Sequence, residues 1–434
     1  MLALMAASLA PLALATQEPQ TVRLPGMSVQ DVLAAAGRLI EAGQLDAALV
    51  LLARLEADGV GGPERDFLDG MVALARRDFP RAEAMFRKIL DRDSSLLRVR
   101  LELARTLFLE KKDEEADYHF RLAIAEKPPR TIVANIARFR EAIRARRVWR
   151  FNLTFGLAPD SNINSATGKE QVDILGLPFR LDPSSRARSG TGFIAGGEAS
   201  LRLRRNSTLP LYVGVYGRMV DYPGRDVDDI YIGDEAGPEF RLSGGRLRVA
   251  AAGLERWYGG RHLVSSVGAK LNFDKVIGGK SGIEATLAIR RNDYARRTDV
   301  DGWDIEASGS ANRALGRSSL GFAYASLQRS IARDPGQSNW QGRLGLGVLK
   351  EVRWGLRPQL SVEVGGQVND APMALFGATR RDWHLEARAS LYKRDWNIAG
   401  FAPSVSLTWS RNFSTIPLYD QRRLRAEFGI TKAF

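Results

Sequence analysis

The chain has 434 residues, with 63 Lys and Arg against 50 Asp and Glu for a formal charge of +13, long enough for two or three domains with real cores. It has no cysteine and three histidines, His119, His262 and His384. This excludes a disulfide scaffold, thiolate zinc sites, iron–sulfur clusters and cysteine nucleophiles, and leaves little for histidine chemistry. Beyond residue 15 no apolar run reaches the roughly 18 residues of a spanning helix, which excludes a helical inner-membrane protein but not a membrane protein built from strands.

Residues 1–15 read MLALMAASLAPLALA, and Ala13 and Ala15 put small residues at the −3 and −1 positions of a cleavage site. This predicts a signal peptide, 1–15, although the basic residues that usually precede the apolar stretch are absent before Arg23. A linker, 16–28, follows. Export without cysteine suits a Gram-negative envelope.

Residues 29–147 carry a period of 34. Ala48, Ala82 and Ala116 form one column, Leu52, Phe86 and Phe120 a second, Ala36, Gly70 and Ala104 a third, and Leu55, Ile89 and Ala123 a fourth. Small residues let paired helices approach and a large apolar residue fills the gap, which is the tetratricopeptide pattern. Repeats are expected at 29–62, 63–96 and 97–130, closed by a helix from about Ile132 to Arg147 that covers the last apolar face. Such a stack binds protein segments or acts as a spacer. Residues 16–150 carry 24 basic and 21 acidic side chains, which is no nucleic-acid footprint.

At about residue 150 the composition changes: 35 of the 42 glycines, and 16 of the 18 Trp and Tyr, lie beyond it. Period-two alternation begins there. Phe151, Leu153, Phe155 and Leu157 alternate with Asn152, Thr154, Gly156 and Ala158, and near the end Leu424, Ala426, Phe428 and Ile430 alternate with Arg423, Arg425, Glu427 and Gly429. A soluble sandwich would alternate too, but these segments run about 10 to 14 residues where soluble strands average five or six. Aromatics at their ends, among them Trp257, Trp303, Trp340, Trp354, Trp383 and Trp396, suit interfacial girdles. The last strand ends in Phe434, resembling the signal read by the outer-membrane insertion machinery. The predicted fold is therefore α + β and multidomain: an α-solenoid of tetratricopeptide repeats, then an antiparallel transmembrane β-barrel of about 14 strands over 150–434. Short links such as Leu315–Arg317 alternate with longer ones such as Pro159–Ser189 and Asn369–Arg380, so both barrel ends and the repeats face the periplasm.

Residues 151–434 hold 39 basic and 29 acidic side chains. Arg202, Arg204, Arg246, Arg248, Arg290 and Arg388 fall mostly on the inward phase, where they either favour anionic cargo or pair with lumenal carboxylates. The Gly192–Gly197 cluster sits in a strand rather than opening a helix, which argues against a phosphate-cradling loop. Ser265 near His262 and Asp382 near His384 bring no nucleophile motif, and no metal-ligand spacing stands out. Neither an enzyme nor a cofactor is expected.

The run Pro159-Asp160-Ser161-Asn162-Ile163-Asn164 follows the first strand and is rich in hydrogen-bonding side chains. With Phe151-Asn152-Leu153-Thr154-Phe155-Gly156 before it, it resembles the barrel opening of the surface lipoprotein assembly modulators, the Slam family, as does the layout of signal peptide, repeats, barrel and terminal Phe. The resemblance implies an outer-membrane translocon whose repeats capture a periplasmic client, a lipoprotein or a soluble secreted protein, and whose barrel delivers it to the cell surface. The barrel-assembly machinery and outer-membrane lipid are its expected partners. The seam between strands near Phe151–Leu157 and Leu424–Phe434 is the expected weak point of the wall. An exopolysaccharide export porin, which also joins repeats to a barrel, is the alternative.

Overall fold

The computed structural model describes residues 28–126, 128–146, 149–203, 209–242, 244–278, 281–394, 396 and 401–433. The expected signal peptide, all of the linker but residue 28, Arg147, Arg204 and the terminal Phe434 lie outside the described residues.

Seven helices come first: α1 Val29–Glu41, α2 Leu45–Ala57, α3 Pro63–Ala75, α4 Phe79–Arg92, α5 Leu97–Leu109, α6 Asp113–Ala125 and α7 Arg130–Arg146. Starts at 29, 63 and 97, and again at 45, 79 and 113, repeat every 34 residues. Ser28 begins α1 with a capping box, accepting from the Asp31 amide at 3.3 Å while Asp31 accepts from the Ser28 amide at 3.1 Å. Pro63 opens α3 and Asp78 caps α4, which satisfies or removes the orphan amides of a first turn. Gly43, Arg77 and Lys111, again 34 apart, take the left-handed conformation just after α1, α3 and α5.

The chain divides into two compact units, 1–77 and 78–434. In the first, Leu33, Ala36, Ala48, Leu51, Leu52, Leu55 and Val72 form one apolar core, and Gly70 is buried on α3. In the second, Ala82, Phe86, Ala104, Ala116 and Phe120 are buried, and Phe139 of α7 stacks on Phe120 at 5.3 Å and meets Phe108 edge-on at 5.1 Å.

The rest of the second unit is a barrel. Its strands are β1 Trp149–Asp160, then, after the small hairpin β2 Gln171–Ile174 and β3 Leu177–Arg180, β4 Gly190–Leu203, β5 Leu211–Asp221, β6 Asp229–Leu242, β7 Gly245–Tyr258, β8 Arg261–Ile277 and β9 Ser281–Tyr294. They continue as β10 Gly302–Ala314, β11 Ser319–Ala332, β12 Asn339–Lys350, β13 Leu356–Met373, β14 Ala378–Lys393, β15 Phe401–Ser414 and β16 Gln421–Ala433. All but β2 and β3 pair antiparallel with their neighbours, and β1 meets β16, closing a barrel of fourteen strands. The outer wall is apolar: Leu157 is 53% and Val267 64% exposed, values a water-facing sheet would not sustain across a whole surface. Trp303, Trp340 and Trp383 lie toward the long-loop end and Trp354 and Trp396 at the short-turn end, bracketing an apolar band as interfacial girdles do.

Two loop expectations are corrected. Most of 369–380 is strand: β13 reaches Met373 and β14 starts at Ala378, leaving a four-residue turn. A register shift between Val368 and Pro372 lets the ladder continue past a proline that cannot donate. The long loop after β1 contains the β2–β3 hairpin, turned by Leu175 (φ 51°) and Gly176 (φ 82°). That turn wants φ > 0 at both positions, and leucine is not a residue that signals it.

Candidate functional site: the closing seam and the periplasmic seat

The strand that joins the helices to the barrel, β1, has unequal neighbours. It pairs with β4 at twelve positions without a break, from Trp149↔Leu201 to Asp160↔Gly190. With β16 it pairs at seven: six from Asn152↔Ala433 to Leu157↔Phe428, then Asp160↔Arg425. The gap falls at Ala158 and Pro159, and Pro159 has no amide hydrogen to contribute. Within the paired stretch Gly156 faces Gly429. A Cβ on Gly156 would lie 2.5 Å from the Phe428 carbonyl oxygen, and one on Gly429 2.7 Å from that of Phe155. The backbones approach closely there, and no side chains reinforce the pair. Thr154 and Thr431 face each other just below, Oγ1 to Oγ1 3.4 Å.

The extracellular end of this seam is tied by the Pro159–Asn164 run. The Asp160 side chain is fully buried and accepts from Arg423 of β16, Nε to Oδ2 at 2.8 Å, from the Asn162 amide at 2.9 Å, and from the Tyr222 hydroxyl at 3.4 Å. Ser161 exchanges two bonds with Leu424: its amide donates to the Leu424 carbonyl at 3.0 Å, and its Oγ accepts from the Leu424 amide at 2.8 Å. Asn162 Nδ2 donates to the Arg422 carbonyl at 3.1 Å, and its Oδ1 accepts from the Ala166 amide at 3.0 Å. Ile163 packs on the small cluster of Ala158, Ile194, Val220, Tyr222 and Val227. Asn164 holds the returning chain, donating to the Arg186 carbonyl at 2.8 Å and accepting from the Arg188 amide at 3.1 Å. The run is thus a clasp from β1 to β16. The expected seam already sets the last strand, from Leu424 on, against the first; sequence reasoning missed the register that brings Arg422, Arg423 and Leu424 to this run.

Inside the barrel, charges pair. Arg218 meets Glu427 at 2.8 Å, Lys270 meets Glu235 at 2.8 Å, Arg246 meets Asp274 at 2.9 Å, and Arg202 and Arg290 meet Glu239 and Glu306 at 3.2 Å. Glu427 also lies 3.9 Å from Arg388 and 3.0 Å from Arg425, and Arg248 is 3.7 Å from Glu235. A lumenal cavity of about 690 Å³ runs along the seam strands β1 and β16.

At the other end, α6 seats on the short turns. Tyr118 and Leu122 pack with Ala314, Leu320 and Leu349, Arg121 Nη1 donates to Asn312 Oδ1 at 3.1 Å, and the Arg357 guanidinium lies over the Tyr118 ring at 4.9 Å. Glu351, in the turn after β12, pairs with Arg394 and lies 3.8 Å from Arg357. Burial penalises its charged form, but His119 first, then Arg357, Arg394 and Arg87, outweigh that cost and hold the carboxyl well below its usual range. Burial pushes the His119 imidazole well below its ordinary value, with Arg87, Arg100 and Arg394 adding to that effect and Glu351 opposing it.

Of the Ser–His pairs, Ser265 and His262 do meet. Glu255 accepts from Ser265 Oγ at 2.8 Å and faces His262 Nε2 at 2.8 Å, while Ser265 Oγ lies 3.3 Å from the same ring nitrogen. A relay needs the acid and the nucleophile on opposite nitrogens. His384 lies near Glu363 and Glu386, at 4.0 and 3.9 Å.

A closed fourteen-strand barrel with an apolar outer wall, bracketed by tryptophans and carrying helices on its short-turn side, defines an outer-membrane β-barrel protein with a periplasmic helical extension. The sequence profile of the surface lipoprotein assembly modifier family matches residues 149–434, and the chain belongs to that family. It is 24% identical to surface lipoprotein assembly modifier 1 of Neisseria meningitidis, over 84% of this chain and 75% of that one. It is 21% identical to surface lipoprotein assembly modifier of Moraxella catarrhalis, over 85% of this chain and 72% of that one. Among solved structures, the outer-membrane channel DcaP of Acinetobacter baumannii aligns with 66% of this chain and 96% of its own at a TM-score of 0.40 and 9% identity.

Proposed function

We propose that the protein is an outer-membrane translocon: its periplasmic helices, read as tetratricopeptide repeats, capture a surface lipoprotein or a soluble secreted protein, and its barrel delivers that client to the cell surface. Residues 1–15 act as the export signal, and Phe434 ends the strand read by the barrel-assembly machinery. The observation that carries this reading is that the helices enter the barrel through β1, the strand that also forms the short, glycine-bearing seam with β16. A client held at the periplasmic mouth therefore sits beside the shorter-paired of β1's two joints, and an extended client segment can add to such an edge through its backbone. The lumen, crossed by ion pairs such as Arg218–Glu427, is a less favourable path for an apolar or lipidated segment.

The test has two arms. Protease shaving of intact cells with mass spectrometry, comparing wild type, a deletion strain and a complemented strain, should show one protein lost from the surface and accumulating in the periplasm. Unchanged surface proteins with reduced capsule or biofilm polymer would instead assign the barrel to polysaccharide export. For the route, Thr154→Cys with Thr431→Cys places a disulfide across β1 and β16 in a chain with no cysteine of its own. The oxidised protein should fail to export and the reduced protein should recover; normal export by the oxidised form would sink the seam route alone.

A further inference from the structure

Between α4–α6 and the periplasmic turns lies a cavity of about 360 Å³ that no part of the export reading uses. Six cationic side chains line it, among them Arg87, Arg100, Lys350, Arg353 and Arg394, against the carboxylates of Asp91 and Glu351. Arg87 bonds Glu83 and Glu115 at 2.6 Å each, Arg100 Nε faces Glu126 at 3.5 Å, Arg394 pairs with Glu351, and Arg92 is engaged as well. Among the described residues, Lys350 and Arg353 make no ion pair, so the cavity keeps an excess of positive charge.

Its wall also carries donors with nothing to donate to. His119 is 1% exposed, and its Nε2 has no hydrogen-bond partner among the described residues. Arg100 Nη1 stands 3.5 Å from His119 Nδ1; since guanidinium can only donate, Nδ1 is the acceptor nitrogen and the ring proton sits on Nε2. Arg87 Nη1 is likewise buried and unpartnered. A buried donor left unpaired destabilises the fold, and an acceptor-only anion in the cavity would satisfy two such donors at once.

We propose that this cavity binds a phosphate group, either free or as the headgroup of an anionic phospholipid in the inner leaflet. Phosphate offers several acceptor oxygens to forked guanidinium donors, an ammonium and an imidazole N–H. The volume suits a phosphate with a glycerol attached rather than a folded segment. Arg353 and Arg394 stand beside the girdle residues Trp354 and Trp396, which are 71% and 67% exposed. Such tryptophans sit at headgroup level, so a lipid phosphate lies within reach of the opening.

The test uses the full-length protein in detergent. Native mass spectrometry would compare retention of phosphatidylglycerol with that of diacylglycerol, which has the same chains and no phosphate, and calorimetry would measure glycerol phosphate and inorganic phosphate. The variant is Lys350→Ala with Arg353→Ala, exposed residues at the end of β12 and in the turn after it, and the control is Lys169→Ala with Arg180→Ala in the extracellular loop. Wild type should prefer phosphatidylglycerol, and the Lys350/Arg353 variant should lose about tenfold or more of that affinity while the control does not. Binding of the soluble phosphates with the same loss and no lipid preference supports the site with free phosphate as its source. Equal retention of both lipids with no soluble binding, or phosphate binding unchanged in the variant, overturns the proposal.

Discussion

Arg423 on β16 grips Asp160 on β1 across the closing seam, its Nε donating to both carboxylate oxygens at 2.8 and 3.0 Å. The acid is fully buried and the arginine side chain 25% exposed, so removing the arginine leaves a charge with nowhere to go. Breaking a buried pair from one side costs about 3–5 kcal/mol, much of it the stranded charge. Arg423→Ala should therefore open the extracellular end of the seam, read as faster amide hydrogen exchange at Leu157 and Leu424. Adding Asp160→Asn should recover most of the protection, because the amide still accepts from the Asn162 backbone and carries no charge. Equal exchange in the single and double variants would mean that the pair does not hold the seam.

The glycine pair lower on the same seam makes a separate prediction. Alanine at Gly156 puts a methyl 2.5 Å from the Phe428 carbonyl oxygen and 2.9 Å from the Gly429 Cα, both backbone atoms that cannot swing aside. At Gly309, on β10, the same methyl meets nothing nearer than 3.7 Å. Gly156→Ala should cost about 1–3 kcal/mol and lower the yield of folded, heat-modifiable barrel, whereas Gly309→Ala should be neutral.

Lys111 holds φ at 66° just after α5, where Gly43 holds 76° after α1. A side chain in this conformation costs roughly 1–2 kcal/mol that glycine avoids, offset in part by glycine's larger chain entropy when unfolded. Lys111→Gly should leave the helical region up to about 1 kcal/mol more stable, seen as slower exchange across α5 and α6. A destabilised α5–α6 would show that the Lys112 ion pairs with Glu83 at 2.6 Å and Glu110 at 2.8 Å depend on the lysine beside them.

The barrel was legible because each strand residue declares its own face. Leu153, Phe155 and Leu157 point outward whatever lies elsewhere in the chain, and the fourteen segments expected from alternation coincide with the fourteen strands to within a few residues. The 34-residue rhythm was legible for the same local reason. The clasp was not: closure of the first strand on the last was expected, but Asp160 and Arg423 are 263 residues apart, and alternation gives no register to say that these two meet. Glu351 carries no local signal in the sequence; its surroundings are set by helices that fold over the turn and bring Arg87 and His119 to it. The lumenal arginines fall between these cases. Their inward phase was readable, but their pairing with Glu427 or Glu235 needed the cross-barrel register.

His119 gives the periplasmic seat a dependence on pH whose sign follows from its burial. Its folded value lies well below the ordinary 6.5, so once α6 lifts away the freed imidazole takes up a proton that the seated one refuses. The seat is at full strength above pH 6.5 and weakens below it, by up to about 1.4 kcal/mol per pH unit until the seated imidazole itself protonates. Glu351 works in a lower window. Its carboxyl is held down in the seat, so its contribution is complete above its ordinary value of 4.5 and fades only as pH falls through the depressed one. Between pH 7.5 and 5.5 the histidine should therefore dominate, facing Arg87, Arg100 and Arg394 as well as Glu351. Hydrogen exchange at α6, corrected for intrinsic rates, should lose protection across that range in the wild type. His119→Gln, which cannot titrate, should leave the profile flat; a parallel loss in both proteins would assign the effect to another group.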